Sequence, residues 1–130
     1  MKTWGLVILT AVIGLTQPVF GQELEEVARN LLYCSAISDA FSENSRKLRE
    51  QRDFLLGSAA ALTSRQFVDA ERSAAIAKVE AKLAETKQGI ESGGSSRPQL
   101  DGFIEDLKGC MKQVQTYQNE IAAGVNRKRR

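Results

Sequence analysis

The sequence predicts an all-α protein: an up–down–up three-helix bundle with one interhelical disulfide, preceded by a signal peptide. Three observations predict it. Two apolar ladders run Leu24, Val27, Leu31, Cys34, Ser38, Phe41, Ser45 and Leu100, Phe103, Leu107, Cys110, Val114, Tyr117, Ile121. Their alternating steps of three and four lay each set on one stripe of an α-helix. The only two cysteines, Cys34 and Cys110, stand at the same rank of the two ladders. The chain also opens on an export-type leader, and no segment shows the period-two alternation of a strand.

The leader is read as residues 1–21. Lys2 gives a short positive start, Leu6 to Leu15 an apolar run, and Val19 and Gly21 small residues before a cut after Gly21. This ten-residue run, broken only by Thr10 and Gly14, makes about 15 Å of helix, half of a bilayer core, so a cleaved signal fits better than a membrane anchor. The expected product is therefore exported, periplasmic or extracellular. A disulfide persists in such a compartment, and a Cys34–Cys110 bond is predicted. Closure of so long a loop stabilises by about 4–5 kcal/mol in the loop-entropy picture. The Cys-x-x-Cys spacing of a redox-active pair is absent.

The bundle domain is expected over 22–126, with helices at about 23–60, 64–91 and 98–124, and a basic tail at 127–130. Glu23, Glu25 and Glu26 place negative charge in the first turn of the first helix, and Arg46, Lys47, Arg49 and Arg52 place positive charge in its second half. Thr63 with Gln66 three residues on fits a capping box for the second helix, with Ser64 as the alternative cap. That helix is the least apolar of the three in its centre and reads as a cover. Ser92-Gly93-Gly94-Ser95-Ser96 is the clear loop, and Pro98 suits the first turn of the third helix. Gly109 beside Cys110 is a candidate for a close backbone approach. Short connections make successive helices antiparallel, so the first and third run parallel and can join their cysteines at one level. A long antiparallel hairpin that completes its core by dimerising is the alternative, and monomer and homodimer both stay open.

Composition narrows the chemistry. Histidine is absent, which removes the commonest general base and transition-metal ligand. Two cysteines without histidine do not make a structural zinc site. No phosphate loop, dinucleotide fingerprint or calcium loop occurs. No catalytic residue, cofactor or metal ligand is therefore assigned, and an enzyme is not expected. Loss of Lys2 leaves near neutrality, and the body without its last four residues is mildly acidic. That balance does not suit a nucleic-acid-binding domain. Candidate partner contacts are the cluster Arg46, Arg49, Arg52 and the tail Arg127, Lys128, Arg129, Arg130. Glu43, Glu50 and Asp53 lie within one turn of that cluster and offset it. The tail offers weak contact with anionic membrane, or complements the dipole of its own helix.

Leu62-Thr63-Ser64-Arg65-Gln66 resembles the Leu-Thr-x-x-Gln motif of the Spy-type periplasmic chaperones. The resemblance implies a small, exported, all-helical protein acting on clients without ATP. It covers five residues, the motif occurs once rather than twice, and it carries over no client-binding residue. The functional expectation is an exported, non-enzymatic helical protein acting by protein–protein contact, as a binding, inhibitory or envelope accessory factor. An ATP-independent chaperone-like holdase is the alternative.

Overall fold

The computed structural model describes the backbone of residues 2–95 and 97–129 and the side chains of 21–95 and 97–127. The chain is all-helical among these: α1 Lys2–Ala40, α2 Arg46–Leu62, α3 Arg65–Glu91, α4 Arg97–Thr116 and α5 Gln118–Arg129. The side chains of the expected leader lie outside the described residues except at Gly21, as do those of Lys128, Arg129 and Arg130. Among the described residues no helix is long and apolar enough to cross a membrane.

The expected single helix over 23–60 is two helices. It does not begin at Glu23, because α1 continues back to Lys2. It breaks at 41–45, where Ser45 turns from ladder member to N-cap: its Oγ accepts from the Leu48 N–H at 3.2 Å. The end of α1 is closed by the same short segment. Asp39 O accepts from both the N–H of Ser42, at 3.1 Å, and its hydroxyl, at 2.7 Å. Ser42 and Ser45 offer side-chain partners that compete with the helical ladder, and the chain takes them.

That break adds a reversal and corrects the predicted topology. Ser38 meets Gln51 and Leu24 lies near Leu62, so α1 and α2 run antiparallel. Arg29 pairs with Glu71, and Tyr33 meets Lys78 and Lys82, so α3 runs parallel to α1. Phe41 stacks edge-on against Phe103 at 5.8 Å, Cys34 joins Cys110, and Asn30 meets Gln113. Tyr117 reaches Glu23. The helices that carry the cysteines are therefore antiparallel, in an up–down–up–down order. A bridge fixes one level and leaves polarity open, so equal rank in the two ladders does not require parallel helices. The bond itself is present, with Cα atoms 6.6 Å apart, inside the reach of a disulfide.

The core is built around α1. Every residue from Leu31 to Ser38 is buried, and this stretch carries no charge. A helix buried on all sides is enclosed by the others. Leu55, Ala59 and Leu62 of α2, Val68 and Val79 of α3, and Phe103, Cys110 and Val114 of α4 close around it. Ser35 and Ser38 satisfy their hydroxyls within α1, on the carbonyls of Leu32 and Cys34. Among the described residues, no buried side-chain nitrogen or oxygen lacks a partner.

The remaining ends follow the expected chemistry more closely. Gly93, at φ 87°, closes α3: the Gly94 N–H bonds to Gly89 O at 2.7 Å and the Gly93 N–H to Ile90 O at 3.0 Å. This pair of bonds is the Schellman ending that a left-handed glycine permits. Pro98 falls in the first turn of α4. The expected helix 98–124 is interrupted only at Tyr117, across which the backbone bonds to Gln113 and from Ile121 continue.

Candidate partner-binding groove

Two tight junctions shape one end of the bundle. At the first, Thr63 stops α2: its N–H and its hydroxyl both donate to Ala59 O, at 3.1 and 2.7 Å. Ser64, not Thr63, then caps α3, its Oγ accepting from the Phe67 N–H at 3.0 Å. The capping box of Thr63 with Gln66 is thus replaced by its alternative. At the second junction α5 crosses α2. A Cβ built on Gly124 would overlap the Ala61 carbonyl oxygen and lie 2.6 Å from its carbon. The close approach expected at Gly109 occurs here instead; a Cβ on Gly109 meets nothing within 4 Å.

Between these junctions α2, α3 and α5 enclose a groove of about 490 Å³. Leu56, Ala60, Val68 and Val125 supply its apolar lining, and Gly57 and Ala61 are small enough to leave it open. Arg65, Asp69 and Arg72 stand on its α3 side. Neither arginine has an ion-pair partner among the described residues. The rim therefore carries two guanidinium groups against one carboxylate, above an apolar floor. Arg127 is exposed two residues beyond Val125 on α5.

The basic cluster singled out in the sequence sits elsewhere and is occupied by its own chain. Arg46 pairs with Glu50 at 3.2 Å, and Arg49 donates to Ser42 O at 2.9 Å. Arg52 bridges Asp39 at 2.7 Å and Asp53 at 3.0 Å, and these carboxylates push its pKa up. The guanidinium groups of Arg49 and Arg52 thus tie the start of α2 to the end of α1. The sequence does not set Arg65 and Arg72 apart, because they are spaced along a polar helix. Their meaning comes from the crossing of α5, which a lone Gly124 does not announce.

A second polar constellation lies beside the disulfide. Lys82 Nζ donates to the Tyr33 hydroxyl at 2.7 Å, and that hydroxyl donates to Asp106 Oδ2 at 2.9 Å. Lys78 and Lys82 both stand over the Tyr33 ring, at 4.8 and 4.9 Å from its centre. Burial, with Asp106 adding to it and Lys82 opposing it, raises the Tyr33 pKa above its ordinary value. A phenol recruited as a general base needs the opposite shift. The hydrogen bond from Lys82 to Tyr33 in turn raises the Lys82 pKa. The three side chains join α1, α3 and α4 at one level.

Among the described residues no group of three or more His, Cys, Asp or Glu is arranged to hold a metal ion. In comparisons with protein-family models, curated proteins and solved structures, nothing matches this chain.

Proposed function

We infer that this chain is an exported, non-enzymatic helical protein that works by contact, holding an acidic amphipathic segment of a partner protein in the groove between α2, α3 and α5. The observation that carries this reading is the pairing of an apolar floor with two arginines that lack ion-pair partners among the described residues. Apolar side chains of a bound helix fill such a floor while carboxylates on its flank meet the rim. Arg127, Lys128 and Arg129, expected as part of a tail, fall instead in the last turn of α5 and add positive charge there. The leader at 1–21 and the disulfide support export, with 22–126 as the mature body. The absence of histidine supports a non-enzymatic role. The Leu-Thr-x-x-Gln letters of the holdase alternative are accounted for as helix ends, through the bonds of Thr63 and Ser64.

A photoreactive residue placed at Val125 tests the reading in secreted or envelope material. The expected product is a crosslinked partner whose labelled peptide carries Asp or Glu beside apolar residues, lost in Arg65→Glu/Arg72→Glu. The same crosslink at undiminished yield in that folded double variant ends the reading. Suppression of client aggregation that survives the double variant favours the holdase instead. Intact mass of the exported protein, with Gln22 first, checks the leader.

A further inference from the structure

α4 carries apolar side chains beside its core-facing ladder that the bundle covers only in part, Leu107 being half-buried against the core. Leu100, Ile104, Leu107 and Met111 follow steps of four, three and four, so they share one face. Ile104 is 50% exposed, Leu100 39% and Met111 37%. Ile104, Leu107 and Met111, with Lys108, Lys112 and Gln51 of α2, line a shallow groove of about 400 Å³. The charges beside it are segregated by sign: Asp101 and Glu105 toward the N-terminal end, Lys108 and Lys112 toward the C-terminal end. Lys108 makes only an exposed contact with Glu105, at 3.6 Å. Asp101 and Lys112 have no ion-pair partner among the described residues.

We propose that this face recognises a second copy of the chain, with the two α4 helices packed antiparallel about a two-fold axis at Leu107. The symmetry sets Ile104 against Met111 of the second copy and Leu107 against its equivalent. It also brings the acidic half of each helix beside the basic half of the other. Asp101 faces Lys112 of the second copy, and Glu105 faces its Lys108. A parallel pairing would set like charges side by side, so the pattern selects polarity as well as partner. This surface, formed by α4 with Gln51 of α2, shares no lining residue with the groove between α2, α3 and α5, so either can fail without the other. The stripe is narrower than a standard interface, so the dimer is weak, with a dissociation constant on the order of 100 µM.

Sedimentation equilibrium of the disulfide-bonded mature chain, from micromolar to millimolar concentration, is the test. The expected result is a monomer–dimer equilibrium that Ile104→Glu shifts to monomer with the helical signal intact. Two charge variants sharpen it: Asp101→Lys/Glu105→Lys and Lys108→Glu/Lys112→Glu. Each alone is expected to weaken association about tenfold, and an equimolar mixture to restore it, because only the mixed pair has opposite charges throughout. Zero-length carbodiimide crosslinking of mixed isotope-labelled wild-type chains should join Asp101 of one copy to Lys112 of the other. Within one helix those residues lie about 16 Å apart, beyond such a link. A monomer at every concentration overturns the proposal. So does a dimer indifferent to Ile104→Glu, or a mixture of charge variants no tighter than its parts.

Discussion

Gly124 of α5 lies against the Ala61 carbonyl of α2 with no room for a side chain between them. Gly109, which sits next to the bridged Cys110, faces open space. The two glycines therefore respond oppositely to the same change. Gly124→Ala forces α5 off α2 and should cost about 1–3 kcal/mol despite the better helix propensity of alanine. Gly109→Ala gains that propensity unopposed and should stabilise by up to about 1 kcal/mol. Urea unfolding of the two variants, compared with the parent chain, reads both signs.

The disulfide carries a separate share of the stability. Cys34 and Cys110 are fully buried, and their bond closes a loop with a sequence separation of 76. Replacing both by alanine should cost about 2–5 kcal/mol. The midpoint of urea unfolding with and without reductant checks this, and the double variant should be insensitive to reductant.

Tyr33 links stability to alkaline pH. Its folded pKa is raised, first by burial, so its protonated form is favoured in the folded state. The unfolded phenol titrates near 10. The contribution is therefore whole below about pH 10 and disappears as pH climbs through the higher folded value. Lys82, whose pKa is also raised, acts with the same sign: its charged form is favoured by folding and is lost in the same alkaline window. Tyr33→Phe should cost about 1 kcal/mol at neutral pH. It should also flatten the fall in stability above pH 10, as measured by denaturant melts between pH 8 and 11.

The helix starts give a direct check on the corner assignments. Ser45→Ala and Ser64→Ala each remove an oxygen that accepts from a backbone N–H, and each should cost about 1 kcal/mol. Thr63→Ala should cost less, because the Thr63 N–H still reaches Ala59 O without the hydroxyl. Thermal melts followed by circular dichroism separate the three.

The sequence makes the helical class, the bond between Cys34 and Cys110, and the second helix legible, because each rests on spacing or local cap chemistry. Its apolar ladders name core residues in α1 and α4, including Val27, Leu31, Phe103 and Val114. Direction is what spacing conceals. A three–four rhythm runs unbroken through Ser38, Phe41 and Ser45, although the chain turns back between the last two. Hydroxyl residues belong equally to a stripe and to a turn, and the signal lies in Ser42, Asn44 and Ser45, two weak helix formers and a cap. The uncharged stretch Leu31–Ser38 likewise marks a helix enclosed on every side, where the ladder alone predicts a single stripe. The groove rim was not legible, because Arg65, Arg72 and Val125 become neighbours only through the approach of Gly124 to Ala61.

The bridge has one consequence for durability. Cys34 and Cys110 bracket the whole of α2 and α3, including the exposed stretch around Gly93 and Gly94. A protease that nicks the chain there produces two fragments still tied sulfur to sulfur across the middle of the molecule. The parts cannot diffuse away, so reclosure after each nick is unimolecular, and damage at that connection alone does not dismantle the protein.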